Sequence, residues 1–171
     1  MLKENIKIGE IVGWRCWEVV YYPSFKDQPS NSLILEGYPV IEQYQLRHSE
    51  CSNQMQYIWL RSFINIRILW NPKVPINCDF PSDAWYWGVH AFNNPEFLSR
   101  YLRIQDVTSR PNLLIAMGTV ELWGTVFEHK KGWRGEFGAI RSIDGFWDYD
   151  NPQLLETLRK KYDVKEMENV K

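Results

Sequence analysis

The segment VELWGTVFEHKKGWRGEFGAIRSI, residues 120–143, decides the fold of this chain. Large apolar and polar residues alternate on both sides of a lysine-glycine turn, and this pattern predicts two antiparallel strands joined as a β-hairpin. The alternation places Trp133 and Phe137 on one face, which suits a core. It places Arg134 and Glu136 on the opposite face, close enough to pair. If this hairpin acts on a ligand, we expect Arg134 and Glu136 to be the residues involved.

The segment upstream at residues 11–22 is rich in β-branched and aromatic residues and predicts another strand. Alternation places Arg15 and Trp17 on one face and Trp14 and Cys16 on the other. Because both faces carry a large ring, we expect both faces of this strand to be covered.

Two short helices are predicted, at about 95–105 and at about 151–162. Each follows an Asn-Pro pair, in which asparagine can cap the helix and proline can occupy its first position. In the first helix we expect Phe97, Tyr101 and Ile104 to share the apolar face, with Leu98 at its edge. The chain therefore predicts one compact α+β domain over 1–171, with a mostly antiparallel sheet and a frayed tail.

The charged tail lies at about 165–171, where composition predicts little order. The chain as a whole has 171 residues, a net charge of −1 and nine tryptophans. A nearly neutral chain is poorly suited to broad, non-specific binding of nucleic acid, which needs a positive field. The three cysteines have no framework spacing, and neither a signal peptide nor a membrane-spanning stretch is evident, so we predict a cytoplasmic protein with no membrane contact.

Metal binding and catalysis both lack a complete signature. His48, Cys51, Cys78 and His90 could supply four zinc ligands, but only the first two form a close pair, so we predict no metal and no cofactor. The chain contains no phosphate-binding glycine loop, no nucleophile elbow and no metalloprotease helix motif. An enzyme could use Cys51 as nucleophile with His90 or His129 as base, or the same histidines with Glu136 as acid and base, but no local signature supports either arrangement.

Ligand binding suits the residues better, because arginines stand beside aromatic residues at several positions. An arginine can stack on a flat group and can also fork onto carboxylate or phosphate oxygens. The predicted binding residues are Arg15, Trp17, Trp87, His90, Arg134 and Glu136. For each tryptophan, burial in the core is the competing interpretation.

The chain also resembles a family of small uncharacterised bacterial and phage proteins. The resemblance rests on GWRCW near the start, on WGVHAF, and above all on the hairpin GTVELWGTVFEHKKGWRGEFGAI, and it extends over 13–164. The family pattern has a G-x-R-x-W opening and a V-x-L-W-G-x-V…H-x-x-G-x-R-x-E hairpin. This chain departs from it at Trp87, where the family has cysteine, and at Gly135, where it has alanine. The resemblance implies one intracellular domain and no particular activity.

Three functions follow as hypotheses. The first is a non-enzymatic adaptor that binds a protein partner, encoded by a phage or mobile element or acting in bacterial defence. The second is a reader of a nucleotide or of single-stranded nucleic acid, with Trp87, His90, Trp133 and Arg134 forming the pocket. The third is a hydrolase or transferase that uses the histidines and Glu136 named above.

Overall fold

The computed structural model of the chain describes residues 5–7, 11–21, 58–63, 69–70, 72, 74–77, 88–109 and 113–164. Several predicted features lie outside these described residues: Trp87, His48, Cys51, Cys78 and the tail at about 165–171.

Strands and two α-helices make up most of the described chain, which confirms the predicted α+β class. The strands are β1 (Asn5–Lys7), β2 (Ile11–Tyr21), β3 (Ile58–Ser62), β4 (Leu69–Trp70), β5 (Ile76–Asn77), β6 (Val89–Phe92), β7 (Ile115–His129) and β8 (Gly132–Phe146). The helices are α1 (Pro95–Ile104) and α2 (Pro152–Tyr162), and a short 3-10 helix covers Val107–Ser109. Neither α-helix in this part of the chain is long and apolar enough to cross a membrane.

All pairings within the described sheet are antiparallel. One edge of β7 pairs with β8, and its other edge pairs with β1 and β2. β8 pairs in turn with β6, and β6 returns to β2 through the pair Trp14–Phe92. These four strands therefore form a closed ring of pairings, and β3 and β4 extend the sheet outward from β2.

Both faces of β2 are covered, as the sequence predicted. Trp17 and Val19 belong to a larger apolar cluster that includes Leu154, Leu158 and Tyr162 of α2. Burial of several large apolar side chains at about 1.5–3 kcal/mol each makes this cluster the main source of hydrophobic stabilisation.

The opposite face of β2 contributes to a smaller cluster. Cys16 packs there with Leu98 and Leu102 of α1 and with Ile115 of β7. The prediction that Ile104 shares the apolar face of α1 is wrong, because its side chain is 70 % exposed. The buried stripe consists of Leu98 and Leu102, which lie one helical turn apart. The helical period allows this stripe as well as the predicted one, and packing against the sheet decides which of the two is buried.

Polar contacts fix the edge of the sheet to the rest of the domain. The buried hydroxyl of Tyr162 accepts a hydrogen bond from the Leu60 amide and donates one to the Trp70 carbonyl, each at 2.8 Å. Two nitrogens of Arg61 donate to one carboxylate oxygen of Glu18, at 3.0 and 2.7 Å, and this buried ion pair joins β2 to β3.

Asparagine caps start both helices, as predicted. The Asn94 side chain accepts from the Glu96 amide at 2.7 Å, and the Asn151 side chain accepts from the Leu154 amide at 3.0 Å. Each cap satisfies an amide that the first helical turn would otherwise leave unpaired.

The long hairpin is present, but its alternation is interrupted. Leu122 and Val126 both belong to the larger cluster, and they pair with Gly138 and Gly135 respectively. Cross-strand partners lie on the same face of a sheet, so both glycines lie on the face of the larger cluster. Under strict alternation, two residues three positions apart would lie on opposite faces, so the alternation of β8 is broken between Gly135 and Gly138. One of the three register shifts in this strand pair lies on β7 between Trp123 and Val126. This bulged segment contains Gly124, whose φ of 75° favours glycine.

This interruption overturns one prediction about the hairpin. Trp133 packs against the larger cluster, whereas Phe137 stacks on Trp123 with ring centroids 5.9 Å apart and planes inclined by 14°. The two rings were expected to share a face, and that expectation is wrong because the bulge moves Phe137 to the other side of the sheet.

Candidate functional site

The turn of the β7–β8 hairpin lies against β6. His90 pairs with Arg134, and Phe92 pairs with Gly132 at the start of β8. A Cβ atom at Gly132 would lie 2.0 Å from the carbonyl oxygen of Ala91, so only glycine permits this approach. The end of β6 and the turn of the hairpin are thereby held side by side.

A pocket of about 280 Å³ opens at this junction. Its described lining consists of His90, Ala91, Phe92, His129, Lys131, Gly132 and Trp133. Two histidines and a lysine offer hydrogen-bond donors or positive charge, two aromatic rings offer flat apolar surface, and none of these described lining residues is a carboxylate. Such a lining suits a small ligand that combines an anionic group with a flat ring.

His90 is held in one tautomer at the pocket wall. Its Nδ1 atom lies 3.0 Å from the carbonyl oxygen of Gly88. Because a carbonyl oxygen only accepts, Nδ1 carries the hydrogen, and Nε2 carries the lone pair of the neutral ring. Burial, followed by the positive charge of Arg15 and further cationic groups nearby, lowers the pKa of His90 from 6.5 to about 4.

Arg15 lies behind this wall, on β2, and is 3 % exposed. Its guanidinium donates to the His90 carbonyl oxygen and, at 3.0 Å, to the Ser62 hydroxyl. It also lies over the ring of Trp70, 5.3 Å from the ring centroid. Arg15 is therefore a buried cation that contacts the backbone of a pocket residue and contributes positive charge to its surroundings.

Arg134 is the second buried arginine next to the pocket, at 4 % exposure. Its guanidinium lies over the ring of Phe127, 4.7 Å from the centroid. Since Arg134 and His90 are cross-strand partners, its charge also acts on the imidazole and contributes to the low pKa of His90.

Two other predicted site residues, Glu136 and Trp17, lie elsewhere, and Trp87 is outside the described residues. Glu136 accepts a hydrogen bond from the Thr125 amide at 3.0 Å and so stabilises the bulge of the hairpin. The expected pairing of Glu136 with Arg134 stays a prediction. Trp17 is fully buried, edge-on to Trp70, and forms part of the core. The structure thus brings together Arg15, His90 and Arg134 from the predicted set.

Sequence reasoning did not assign Phe92 and Lys131 to a site, and it placed Trp133 on the core face of the hairpin as well as in the pocket of the nucleotide hypothesis. Trp133 packs against the larger cluster and also lines the pocket. The signal that could have located these residues is the β6–β8 register, which places Phe92 opposite the hairpin turn. His129, considered only as a catalytic histidine, joins the same lining.

Within the described residues, no group of three or more histidine, cysteine, aspartate or glutamate side chains is arranged to hold a metal ion. Three of the four zinc-ligand candidates lie outside that part of the chain.

Comparison with known proteins finds no matching family model, no similar curated protein and no matching solved structure.

Proposed function

We propose that this protein is a non-enzymatic binding domain that takes a mononucleotide, or a similar flat anionic ligand, in the pocket between β6 and the hairpin turn. The observation that carries the proposal is the composition of that pocket, in which one exposed lysine, two histidines and two aromatic rings line one cavity. A phosphate would accept hydrogen bonds from Lys131 and His129. A base would contact Phe92 or Trp133, and base–aromatic stacking contributes about 1–3 kcal/mol per base.

The size of the cavity favours a single nucleotide over a longer strand. Pockets for small molecules commonly have volumes of roughly 300–1,000 Å³, and this one measures about 280 Å³. A nearly neutral chain also lacks the extended positive field that tracks a nucleic-acid backbone. A mononucleotide can bind through the polar groups of the pocket lining alone, because it carries a single phosphate.

The two other hypotheses receive less support. In the described chain the large exposed apolar residues are Val12, Val74 and Ile104, on three separate segments, whereas protein interfaces have a contiguous apolar centre. An adaptor role through protein contacts therefore stays a prediction. A hydrolase using Glu136 is disfavoured because that carboxylate hydrogen-bonds to the hairpin backbone and is not part of the described pocket lining.

Isothermal titration calorimetry with the four common ribonucleoside monophosphates tests the proposal, with quenching of tryptophan fluorescence as a second readout. Lys131→Gln should weaken binding about three- to fivefold, equivalent to about 0.7–1 kcal/mol, because it removes an exposed cation from the pocket lining. Lys130→Gln is the matched control. It removes the neighbouring exposed turn lysine, which does not line the pocket, and should change affinity less than about twofold.

Two results would contradict the proposal. One is the absence of heat and of quenching with all four nucleotides up to about millimolar concentration, which corresponds to less than about 4 kcal/mol of binding free energy. The other is an equal loss of affinity in the two lysine variants, which would indicate non-specific attraction to the charged turn.

A further inference from the structure

The two aromatic rings of the pocket differ in what else they contact. Phe92 packs against the smaller cluster, where its ring centroid lies 5.7 Å from that of Tyr101 on α1. Trp133 is only partly buried, and it packs against the larger cluster. Within the described residues no other aromatic ring pairs with it. The indole therefore has more ring surface available to a ligand than Phe92 has.

The position of Trp133 depends on Gly13, a buried residue of β2 and the first residue of the GWRCW stretch. A Cβ atom at position 13 would lie 2.6 Å from the Cβ atom of Ala91 and 3.0 Å from Cε3 of Trp133. Ala91 and Trp133 are cross-strand partners, and both line the pocket. Any side chain at position 13 would therefore displace two residues of the pocket wall.

Packing, and not hydrogen bonding, holds the indole of Trp133 in place. Its Nε1 atom is buried and has no hydrogen-bond partner among the described residues. An indole nitrogen can only donate, so the ring has no other polar group that could fix its orientation. Contact with Gly13 along the Cε3 edge is consequently one of the few restraints on where the ring lies.

We propose that Trp133, and not Phe92, is the ring that contacts the base of the bound mononucleotide, and that Gly13 is its positioning residue. This inference rests on the proposed function, which treats the two rings as equivalent. Gly13 is not part of the described pocket lining, so it acts through Trp133. A base that stacks on the indole uses a flat surface whose location is set by the absence of a side chain on β2.

Nuclear Overhauser effects in the unsubstituted protein test both parts of the inference directly. In the free protein the Hε3 proton of Trp133 should show a contact with the α protons of Gly13. When each of the four ribonucleoside monophosphates is added to saturation, H5 and H6 of a pyrimidine, or H8 of a purine, should show contacts with the ring protons of Trp133. Contacts of the base protons with Phe92 alone would overturn the inference.

Gly13→Ala is the informative variant. It should weaken nucleotide binding in calorimetry about fivefold or more, because displacement of the indole forfeits stacking on the base. The indole N–H signal of Trp133 should also shift in the free protein. Gly13→Ala/Ala91→Gly removes the nearest steric conflict and should recover part of the lost affinity.

Gly138→Ala is the matched control for crowding. A Cβ atom there would lie 2.8 Å from Cγ1 of Val89, and neither residue is part of the described pocket lining. This variant should change affinity less than about twofold, as expected for a conflict that does not involve the indole. Its Trp133 N–H signal should stay in place.

Several outcomes separate this inference from the proposed function. Unchanged affinity in Gly13→Ala, or equal losses in Gly13→Ala and Gly138→Ala, would overturn the role of Gly13 while leaving mononucleotide binding intact. If Gly13→Ala does not fold, the Overhauser contacts in the unsubstituted protein decide the question. Failure of all four nucleotides to bind would overturn both the inference and the proposed function.

Discussion

The low pKa of His90 should make the folded protein sensitive to acid over a defined range. An unfolded imidazole gains its proton near pH 6.5, whereas the folded one resists it down to about pH 4. Below about pH 6.5 the unfolded state therefore binds more protons, and stability falls as the pH is lowered. Each pH unit in this interval costs up to about 1.4 kcal/mol, which gives at most about 3 kcal/mol between the two values.

Urea unfolding followed by circular dichroism, at about pH 7 and about pH 5, measures this effect. The lower pH lies about 1.5 units below the pKa of the unfolded imidazole, so His90 contributes at most about 2 kcal/mol to the loss of unfolding free energy. His90→Asn retains every carboxylate of the chain but not this imidazole. Its free energy of unfolding should therefore fall by up to about 2 kcal/mol less than that of the unsubstituted protein.

The control is His129→Asn, which removes an exposed imidazole from the same pocket and should follow the unsubstituted protein. The reasoning fails if His90→Asn and the unsubstituted protein lose equal stability on acidification. That result would mean that the folded environment of His90 does not oppose its charge.

Two further variants test the fold around the site. Tyr162→Phe removes the hydroxyl that two buried backbone groups bind and should lower the free energy of unfolding by about 2–5 kcal/mol in urea titrations. The control is Tyr101→Phe, at a half-buried ring with no hydroxyl hydrogen bond within the described chain, which should cost less than about 0.5 kcal/mol. Equal losses in the two variants would refute the structural role of the Tyr162 hydroxyl. Gly132→Ala forces a Cβ against the Ala91 carbonyl and should cost about 1–3 kcal/mol or more and distort the pocket, whereas Gly145→Ala, with open space around it, should be neutral or slightly stabilising.

The features that the sequence predicted correctly depend on residues close together in the chain. The Asn94 and Asn151 caps bind amides two and three positions away, so residue type and spacing suffice to identify them. The hairpin is likewise local, because its turn joins two strands directly. The caps and the hairpin could therefore be predicted from local hydrogen bonding and from the periodicity of the sequence.

The features that the sequence could not supply depend on long-range packing. Whether Ile104 or Leu102 faces the sheet is decided by how α1 docks, not by the helical period alone. The bulge at Gly124 changes the face of the sheet that Phe137 occupies, and strict alternation of apolar and polar residues does not predict it. The pocket depends on the register between β6 and β8, which joins residues some forty positions apart, as in the pair His90–Arg134.

The pairing of β2 with β7 has a consequence for how the chain folds during synthesis. About 100 residues separate these two central strands, and a ribosome adding 5–20 residues per second needs roughly 5 to 20 seconds to make them. Through that delay the edge of β2 that β7 will occupy has an apolar, aromatic-rich sequence and no native partner. Nascent chains are therefore most exposed to strand-mediated aggregation in this interval, so slower translation between the two strands should lower the yield of native protein.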